Sequence, residues 1–216
     1  MGDINDHNRL GRCVIIGAAP NPSRQAPTLN PSDFVICADG GLDCAILWGI
    51  TPDLTVGDYD SLQNQQRLSL YHHVTLPVEK DDTDTMAAIK IALSRGYRDF
   101  LLLNCTGGRL DHTFANLTAL LFLQNNHAAG TLLDGTCTAQ VIGIGHYELG
   151  QYCGDGLSLF PIGCSQAIVS GEGVFYSLDA LCLQSDFPLG VSNQIISDSA
   201  WIEVQQGTVL MILEKK

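Results

Sequence analysis

The sequence predicts an α/β fold in two parts: a parallel-sheet domain over residues 1–137, followed by an all-β sandwich domain over residues 138–216. Up to about residue 135, short apolar runs of strand length alternate with longer stretches of helical spacing. Such alternation indicates a parallel sheet, because parallel strands need a crossover that is usually a helix. Beyond that point, short apolar runs recur at intervals of roughly ten residues between glycines, without a window of helical length. This second pattern is typical of a small antiparallel sandwich.

The first part carries the clearest individual elements. The helix over residues 83–95 places Met86, Ile89 and Leu93 on one stripe, and Gly96 follows it as a C-terminal cap. Strands are predicted at residues 13–17, 34–38, 54–56, 73–76, 100–105 and 131–133, and helices at 42–48, 83–95 and 113–124. In the second part, strands are predicted at residues 157–160, 167–169, 174–178, 202–204 and 209–213.

Composition and charge exclude several classes of protein. Hydrophobic residues make up 45% of the 216 residues and charged residues 16%, which is a globular composition. The formal net charge is −12, and a strongly acidic surface repels nucleic-acid phosphates and anionic lipid headgroups. No apolar run approaches the roughly 18 residues of a membrane span, and no secretory signal is recognisable. We therefore expect neither nucleic acid nor a membrane as a partner.

The cysteines indicate a cellular compartment. None of the eight belongs to a Cys-x-x-Cys pair, and several lie in apolar runs, as Cys13 and Cys105 do. Cysteines of this kind are typical of reduced core thiols, and they predict neither a disulfide framework nor a zinc site. The sequence therefore predicts a cytoplasmic protein.

Acids, glycines and one arginine follow four of the predicted strands. In an open parallel sheet, ligands bind beyond the carboxyl ends of the strands. These segments therefore come together at one edge of the predicted sheet. They contain Asp39, Gly40 and Gly41 after the second strand, Asp58 and Asp60 after the third, Asp81, Thr83 and Asp84 after the fourth, and Thr106, Gly107, Gly108, Arg109 and Asp111 after the fifth.

Asp58 and Asp60 are candidate ligands of a divalent cation. In an extended chain, residues two apart point to the same side, so both carboxylates can approach one ion. Mg²⁺ prefers a few carboxylates, with water and phosphate oxygens at its remaining positions. The structural alternative is that both acids satisfy a turn or cap the next helix. Asp39 and the acids near residue 84 at the same edge favour the metal site.

The acids from Asp81 to Asp84 open the strongest helical pattern. A helix start explains one or two of them, with Thr83 or an aspartate as the N-cap and an acid complementing the helix dipole. Three acids in four residues exceed what capping requires and repel one another without a cation. We assign function mainly to Asp81 and Asp84.

The segment from Thr106 to Arg109 has the character of a phosphate-binding loop. Glycines at positions 107 and 108 permit close backbone approach, the next helix presents free N–H groups, and Arg109 can hold phosphate oxygens. It is neither a Walker A loop nor a Gly-x-Gly-x-x-Gly motif. Asp111 is either part of this site or a cap of the next helix.

At these residues the sequence resembles the thiamine pyrophosphokinase family. The resemblance covers roughly residues 13–213, and five motifs occur in the order and at the spacing of the family. They are Asp39, Gly40 and Gly41; Pro52 and Asp53 with Gly57, Asp58, Tyr59, Asp60 and Ser61; Lys80, Asp81, Asp82, Thr83 and Asp84; Gly107, Gly108, Arg109, Leu110, Asp111 and His112; and Gly190, Val191, Ser192 and Asn193.

The resemblance implies a Rossmann-like catalytic domain that binds ATP and Mg²⁺, a β-sandwich domain that binds thiamine, and a homodimer with thiamine sites between subunits. The implied reaction converts ATP and thiamine into AMP and thiamine diphosphate, through attack of the thiamine hydroxyl on the β-phosphorus. Such transfer depends mostly on positioning and charge neutralisation, so no protein nucleophile is required.

The resemblance also assigns roles to residues. Asp58, Asp60 and Asp81 would hold Mg²⁺ with Asp39 close by, Asp84 would belong to the catalytic set, and Arg109 with the loop before it would contact the nucleotide. Ser192 and Asn193 would face the thiamine pyrimidine. Tyr176 stands where relatives stack an aromatic ring on thiamine; the alternative is an aromatic residue in the sheet core. Gln194 departs from the family, since many relatives carry an acid there.

Two other functions remain open from the residues alone. One is a magnesium-dependent phosphohydrolase or nucleotidyl-type enzyme that uses the Asp58 and Asp60 pair. The other is a catalytically silent nucleotide-binding or scaffold protein, which the full set of acids disfavours.

Overall fold

The computed structural model describes residues 10–23, 25–59, 65–77 and 81–216. The sites predicted at Asp60 and the motif residue Lys80 lie outside these residues. The Cα positions divide the chain into two compact units, Met1–Asn116 and Leu117–Lys216. The predicted domain boundary at residue 137 stays a prediction.

The first unit contains a parallel sheet, as the sequence predicts. Its strands are β1 (Cys13–Ile16), β2 (Phe34–Ala38), β3 (Leu54–Gly57), β4 (His73–Thr75) and β5 (Asp99–Leu103). They lie in the order β5-β1-β2-β3-β4, and each neighbouring pair is parallel. At the centre of this sheet, Ile15 of β1 lies between Ile36 and Leu102. All five carboxyl ends therefore meet at one edge.

Three helices accompany these strands: α1 (Gly41–Leu47), α2 (Asp84–Ser94) and α3 (Leu110–Asn125). All three are predicted from the sequence, with ends that differ by a few residues. At the start of α2, the Thr83 hydroxyl accepts a hydrogen bond from the backbone N–H of Met86 at 3.2 Å, so Thr83 is the N-cap. None of the described helices is long and apolar enough to span a membrane.

The core of the first unit consists of its central strands. Every residue of β1 is buried, which is why these strands appear in the sequence as continuous apolar runs instead of alternating ones. All eight cysteines lie in the described ranges, and none forms a disulfide there. Burial raises the pKa of Cys13 and of Cys44 to about 12, so both thiols are neutral core side chains.

The second unit is built from antiparallel strands. They are β6 (Ala129–Asp134), β7 (Cys137–Ile142), β8 (Gly145–Glu148), β9 (Gly156–Pro161), β10 (Gln166–Glu172), β11 (Leu178–Gln184), β12 (Asn193–Gln194), β13 (Trp201–Gln206) and β14 (Val209–Glu214). One set pairs in the order β12-β9-β14-β7-β6, and a separate sheet has the order β11-β10-β13-β8. Every strand pairing within the unit is antiparallel.

The strand predicted at residues 174–178 is wrong. Among residues 174–177, Val174 forms an isolated bridge to Ile195, and β11 begins only at Leu178, the last residue of the predicted strand. Gly173 has a φ of +74°, and this left-handed residue turns the chain out of the sheet before residue 174. As a result, Tyr176 lies in an exposed bend between β10 and β11 and not in the core.

Alternate residues of β9, β10, β13 and β14 point into one hydrophobic cluster. This period of two is the reason why the sequence reads as short, half-buried strands. Members of the cluster include Leu157, Leu159, Ala167, Val169, Ile202, Val204, Met211 and Leu213.

A charged contact ties the segment before β1 to the segment before β2. The Arg12 guanidinium donates hydrogen bonds to both oxygens of Asp33, at 3.3 Å from Nε and 2.7 Å from Nη2. The Asp33 side chain is 1% exposed and also accepts from the N–H of Asn30. Burial alone would raise the pKa of Asp33, but the hydrogen bonds from Arg12 and Asn30 together hold it below its ordinary value.

This contact predicts a pH-dependent contribution to stability. A carboxyl whose pKa is lowered by folding stabilises the folded chain above its unfolded pKa, about 3.9, and loses that contribution as the pH falls through the lower folded value. We expect Asp33→Asn to lower the free energy of unfolding at pH 7 by about 1–3 kcal/mol. In urea titrations, the gap to the wild type should narrow as the pH falls below about 4. If the free energies of unfolding of the variant and the wild type differed equally at pH 7 and below about pH 4, the contact would be contradicted. The control is Asp99→Asn, at an exposed site.

Candidate functional site

A cavity of about 640 Å³ in the first unit lies where the carboxyl ends of its strands meet. Four carboxylates line it, from three separate segments that follow β2, β3 and β4. They are Asp39, Asp58, Asp82 and Asp84. Gly107 and Arg109, which follow β5, line the same cavity. The structure thus brings together residues that are far apart in the sequence.

Left-handed residues mark three of the strand exits around this cavity. Asp39 directly follows β2 with a φ of 47°, and Asn104 directly follows β5 with a φ of 53°. Tyr59, two residues after β3, has a φ of 62°. Residues other than glycine rarely adopt this conformation, and it is often found where a site is built.

Gly57 allows two of these exits to approach each other closely. A Cβ atom at this position would lie 2.9 Å from the Cα atom of Asp39, closer than real Cβ atoms come. The segments that carry Asp39 and Asp58 can therefore lie side by side only with glycine at position 57.

The residue that follows Asp58 is anchored in the first unit. Tyr59 is buried, and its hydroxyl donates to the carbonyl of Val74 at 3.2 Å and lies 3.1 Å from the Thr55 hydroxyl. Burial raises the pKa of Tyr59, so the phenol stays protonated. β3 ends at Gly57, and Tyr59 is left-handed. Asp60 lies outside the described residues, so the predicted extended spacing of Asp58 and Asp60 stays a prediction.

The acids before α2 divide into different environments. Asp84, the first residue of α2, lines the cavity together with the N-cap Thr83. Asp82 also lines it, but both of its oxygens accept from Nζ of Lys90 at 2.7 Å, so its charge is balanced within the unit. Asp81 is exposed and is not part of the cavity lining, and its assignment as a metal ligand stays a prediction.

The glycine loop after β5 adopts left-handed turns. Gly107 and Gly108 have φ values of 80° and 104°. A Cβ atom at Gly108 would lie 2.6 Å from Cδ of Pro20, so the loop packs directly against the segment that follows β1. Thr106, which precedes them, is half-buried and outside the cavity lining.

Arg109 is exposed and already paired. Its guanidinium donates to both oxygens of Asp111, at 3.1 Å and 2.6 Å. These hydrogen bonds raise the pKa of Arg109 and lower that of Asp111. A phosphate entering the cavity would meet a guanidinium that Asp111 holds in place.

Gly40 and Gly41 act on the backbone. Gly40 is the N-cap residue of α1, and a Cβ atom at Gly41 would collide with the carbonyl oxygen of Ile16. Glycine at position 41 therefore lets α1 start against β1. Neither glycine lines the cavity itself.

A second cavity of about 410 Å³ lies in the second unit. It brings together Tyr176, Ser192 and Asn193, the three residues that the family resemblance assigns to thiamine. Leucines from β9 and β11 form an apolar part of its wall. The Tyr176 ring is 62% exposed and meets the Phe175 ring edge-to-face, with 5.0 Å between centroids.

The amide of Asn193 holds the backbone of Tyr176. Its Oδ1 accepts from the N–H of Tyr176 at 2.9 Å and from the N–H of Gln194 at 2.8 Å, while Nδ2 donates to the Tyr176 carbonyl at 2.9 Å. The side chain is buried, so Asn193 fixes the aromatic residue. Gln194 donates from Nε2 to the Gly154 carbonyl at 3.2 Å.

Sequence reasoning missed part of the first cavity. Ala18, Ala19 and Pro20, which follow β1, line it, as do Asn104 and Asn116. A signal was present for the first three, because they follow the strand predicted at residues 13–17 just as the other loops follow theirs. Asn104 gave none, since it fell inside a predicted strand.

The donor atoms fit a hard cation that brings its own phosphate and water ligands. Among the described residues, no group of three His, Cys, Asp or Glu side chains is close enough to form a complete metal site. The cavity nevertheless offers carboxylate oxygens from separate segments, the ligands that Mg²⁺ prefers when one or two carboxylates join substrate phosphates.

Comparison with known proteins matches both units to one family. Residues 26–130 match the family model described as the catalytic domain of thiamin pyrophosphokinase. Residues 141–209 match the one described as the vitamin B1 binding domain of thiamin pyrophosphokinase. The chain belongs to the thiamin pyrophosphokinase family. The range matched by the first family model includes the residues that line the first cavity, except those that follow β1. The range matched by the second family model includes Tyr176, Ser192 and Asn193.

Individual relatives agree with this membership. Thiamin pyrophosphokinase 1 of Caenorhabditis elegans is 22% identical over 221 residues, which cover 93% of this chain and 88% of the relative. Thiamine pyrophosphokinase of Bacillus subtilis (strain 168) is 26% identical over 174 residues, which cover 76% of this chain and 79% of the relative.

Solved structures agree on the fold. The crystal structure of thiamine pyrophosphokinase from Bacillus subtilis superposes with a TM-score of 0.84 at 22% identity, covering 95% of this chain and 100% of that one. The crystal structure of thiamin pyrophosphokinase from Geobacillus thermodenitrificans has a TM-score of 0.80 at 25% identity, and the superposition covers 95% of this chain and 98% of that one. The α/β class predicted from the sequence is confirmed.

Proposed function

We propose that this chain is a thiamine diphosphokinase, which transfers the diphosphoryl group of ATP to the hydroxyl of thiamine and releases AMP. The observation that carries the proposal is that each of the two family models matches a part of the chain with its own cavity of suitable chemistry. The phosphohydrolase that the aspartate pair alone left open has no such support.

The first cavity is the proposed site of ATP. Glycines 107 and 108 leave the backbone open to phosphate oxygens, and α3 begins at Leu110, so the positive end of its dipole favours an anion nearby. Arg109 supplies a planar fork that can hold two phosphate oxygens. Asp111 occupies the Nε and Nη2 edge of this guanidinium, so the edge of Nη1 and the second N–H of Nη2 is the one left for phosphate oxygens.

Asp39, Asp58 and Asp84 are the described candidates, of which one or two would hold Mg²⁺ in this cavity together with phosphate oxygens. Asp60 and Asp81 stay in the proposed set on the strength of the sequence. When bound, the ion neutralises charge on the phosphates and on the departing AMP. Without a cation, the carboxylates would repel the triphosphate, so they bind ATP only together with one.

The second cavity is the proposed site of thiamine. Thiamine carries a cationic thiazolium ring, and the exposed face of Tyr176 can attract it by cation–π interaction. Asn193 fixes the backbone of that tyrosine, and Ser192 offers a hydroxyl at the cavity wall for the pyrimidine. The protein needs only to position the thiamine hydroxyl, because transfer between oxygens requires no protein nucleophile.

Finer features of the assembly belong to the same proposal. The alternate burial in β9, β10, β13 and β14 supports a β-sandwich for the second domain, and the parallel strands support a Rossmann-like first domain. We propose a homodimer, supported by exposed apolar side chains beside the second cavity, Phe175, Leu189 and Val191. Sedimentation of the purified chain as a monomer at micromolar concentration would exclude it. The cytoplasmic location stays a prediction from the cysteines.

The decisive assay follows the products of ATP. With Mg²⁺ and thiamine we expect AMP and thiamine diphosphate in equal amounts, and no AMP when thiamine is left out. A phosphohydrolase would release inorganic phosphate without thiamine, and a binding protein would leave ATP intact.

Asp58→Asn should lower kcat at least about 100-fold, because it removes a negative ligand of a cation that neutralises transition-state charge. The folded chain should persist by circular dichroism. The matched control is Asp99→Asn, at the amino end of β5 and away from the cavity, which should leave kcat unchanged. Near-normal turnover of Asp58→Asn would refute the metal role.

Substitutions in the second cavity should change the KM for thiamine. Asn193→Ala removes three hydrogen bonds and frees the backbone of Tyr176, so the KM for thiamine should rise about tenfold while the KM for ATP stays constant. Tyr176→Ala should act in the same direction, whereas Tyr176→Phe keeps the aromatic face and should stay near the wild type. Equal rises in both KM values would contradict separate sites.

A further inference from the structure

Asn104 occupies an unusual place in the first unit. It directly follows β5, its φ is 53°, and the residue is only 8% exposed. A buried, left-handed residue with a polar side chain carries a cost in backbone energy and in desolvation, unless its surroundings offset both.

The Asn104 side chain ties two strand exits together. Its Nδ2 donates to the carbonyl of Gly17 at 2.9 Å and to the carbonyl of Ala19 at 2.9 Å. The two hydrogens of this amide are therefore both used on the segment that follows β1. The backbone adds a third link, because the N–H of Ala19 donates to the Asn104 carbonyl at 3.2 Å.

That segment forms part of the wall of the first cavity. Ala18, Ala19 and Pro20 line it, and none of them has a side chain that can fix its own position by a hydrogen bond. Pro20 also packs against Gly108 in the glycine loop before Arg109. The position of the wall and the space left for that loop therefore depend on what holds the segment after β1.

We propose that Asn104 is a positioning residue for the nucleotide: its amide holds the segment of residues 17–20 in the place that gives the first cavity its affinity for ATP. The inference rests on the proposed function in one respect, that the ligand of this cavity is ATP. It assigns no role to Asn104 in thiamine binding, because the second cavity contains no residue of this segment.

Two substitutions separate the amide from the backbone conformation. Asn104→Gly keeps the left-handed conformation without strain and removes the amide, so a purely conformational role would leave it active. Asn104→Asp keeps the shape but replaces the donor by a carboxylate facing two carbonyl oxygens. The control is Asn126→Asp, because Asn126 also donates from Nδ2 to a carbonyl, that of Phe122, but lines neither cavity.

The measurements are the KM for ATP, the KM for thiamine, and the calorimetric affinity for ATP with Mg²⁺ in the absence of thiamine. We expect both Asn104 variants to weaken ATP binding about tenfold, as for the loss of two hydrogen bonds, with an unchanged KM for thiamine and unchanged behaviour of Asn126→Asp. Thermal melting shows which variants are folded. Since the two variants perturb the fold differently, either one that folds suffices for the comparison.

Unchanged ATP affinity in a folded Asn104→Gly chain would overturn the inference, as would an equal loss for thiamine and ATP. The proposed function would be refuted separately if the wild type bound ATP but made no AMP from it in the presence of thiamine. In that case, the calorimetric affinity for ATP would still test the positioning role of Asn104. A wild type that binds no ATP would overturn both.

Discussion

The constraint on which the rest of the first unit depends is the convergence of four charged or glycine-rich segments at the carboxyl edge of a parallel sheet. The strands place these segments side by side, but their close approach needs special backbone. Gly57 leaves room for Asp39, Gly108 leaves room for Pro20, and three strand exits turn through left-handed residues. As a result, the carboxylates of Asp39, Asp58, Asp82 and Asp84 line one cavity, and carboxylate oxygens are ligands that Mg²⁺ prefers.

In both units, the side-chain amide of an asparagine fixes the backbone of a connecting segment that lines a cavity. Asn104 holds the segment after β1, and Asn193 holds Tyr176 in a bend outside the regular strands. Each amide is buried and bonded to main-chain atoms, so it acts through the backbone it fixes. Under the proposed function, direct contact with the ligands would fall to exposed groups such as Arg109 and the Tyr176 ring.

Much of this arrangement could be predicted from the sequence, because it depends on periodicity. Buried strands are continuous apolar runs, and the acids that follow β2 and β3 therefore had to meet. What depends on local geometry could not be predicted. One example is the set of acids before α2: Asp82 and Asp84, on either side of the N-cap Thr83, line the cavity, whereas Asp81 is exposed. The left-handed turn at Tyr59 and the hydrogen bonds of the Asn104 and Asn193 side-chain amides have no signature in residue spacing.

Anomalous diffraction from crystals grown with Mn²⁺ and a non-hydrolysable ATP analogue would locate a divalent ion held by the carboxylates at this edge together with the nucleotide. We expect an anomalous peak in the cavity of the first unit, within coordination distance of an Asp58 or Asp39 oxygen and of the phosphates. A nucleotide bound there without such a peak, or a peak away from both aspartates, would show that these carboxylates do not hold the ion.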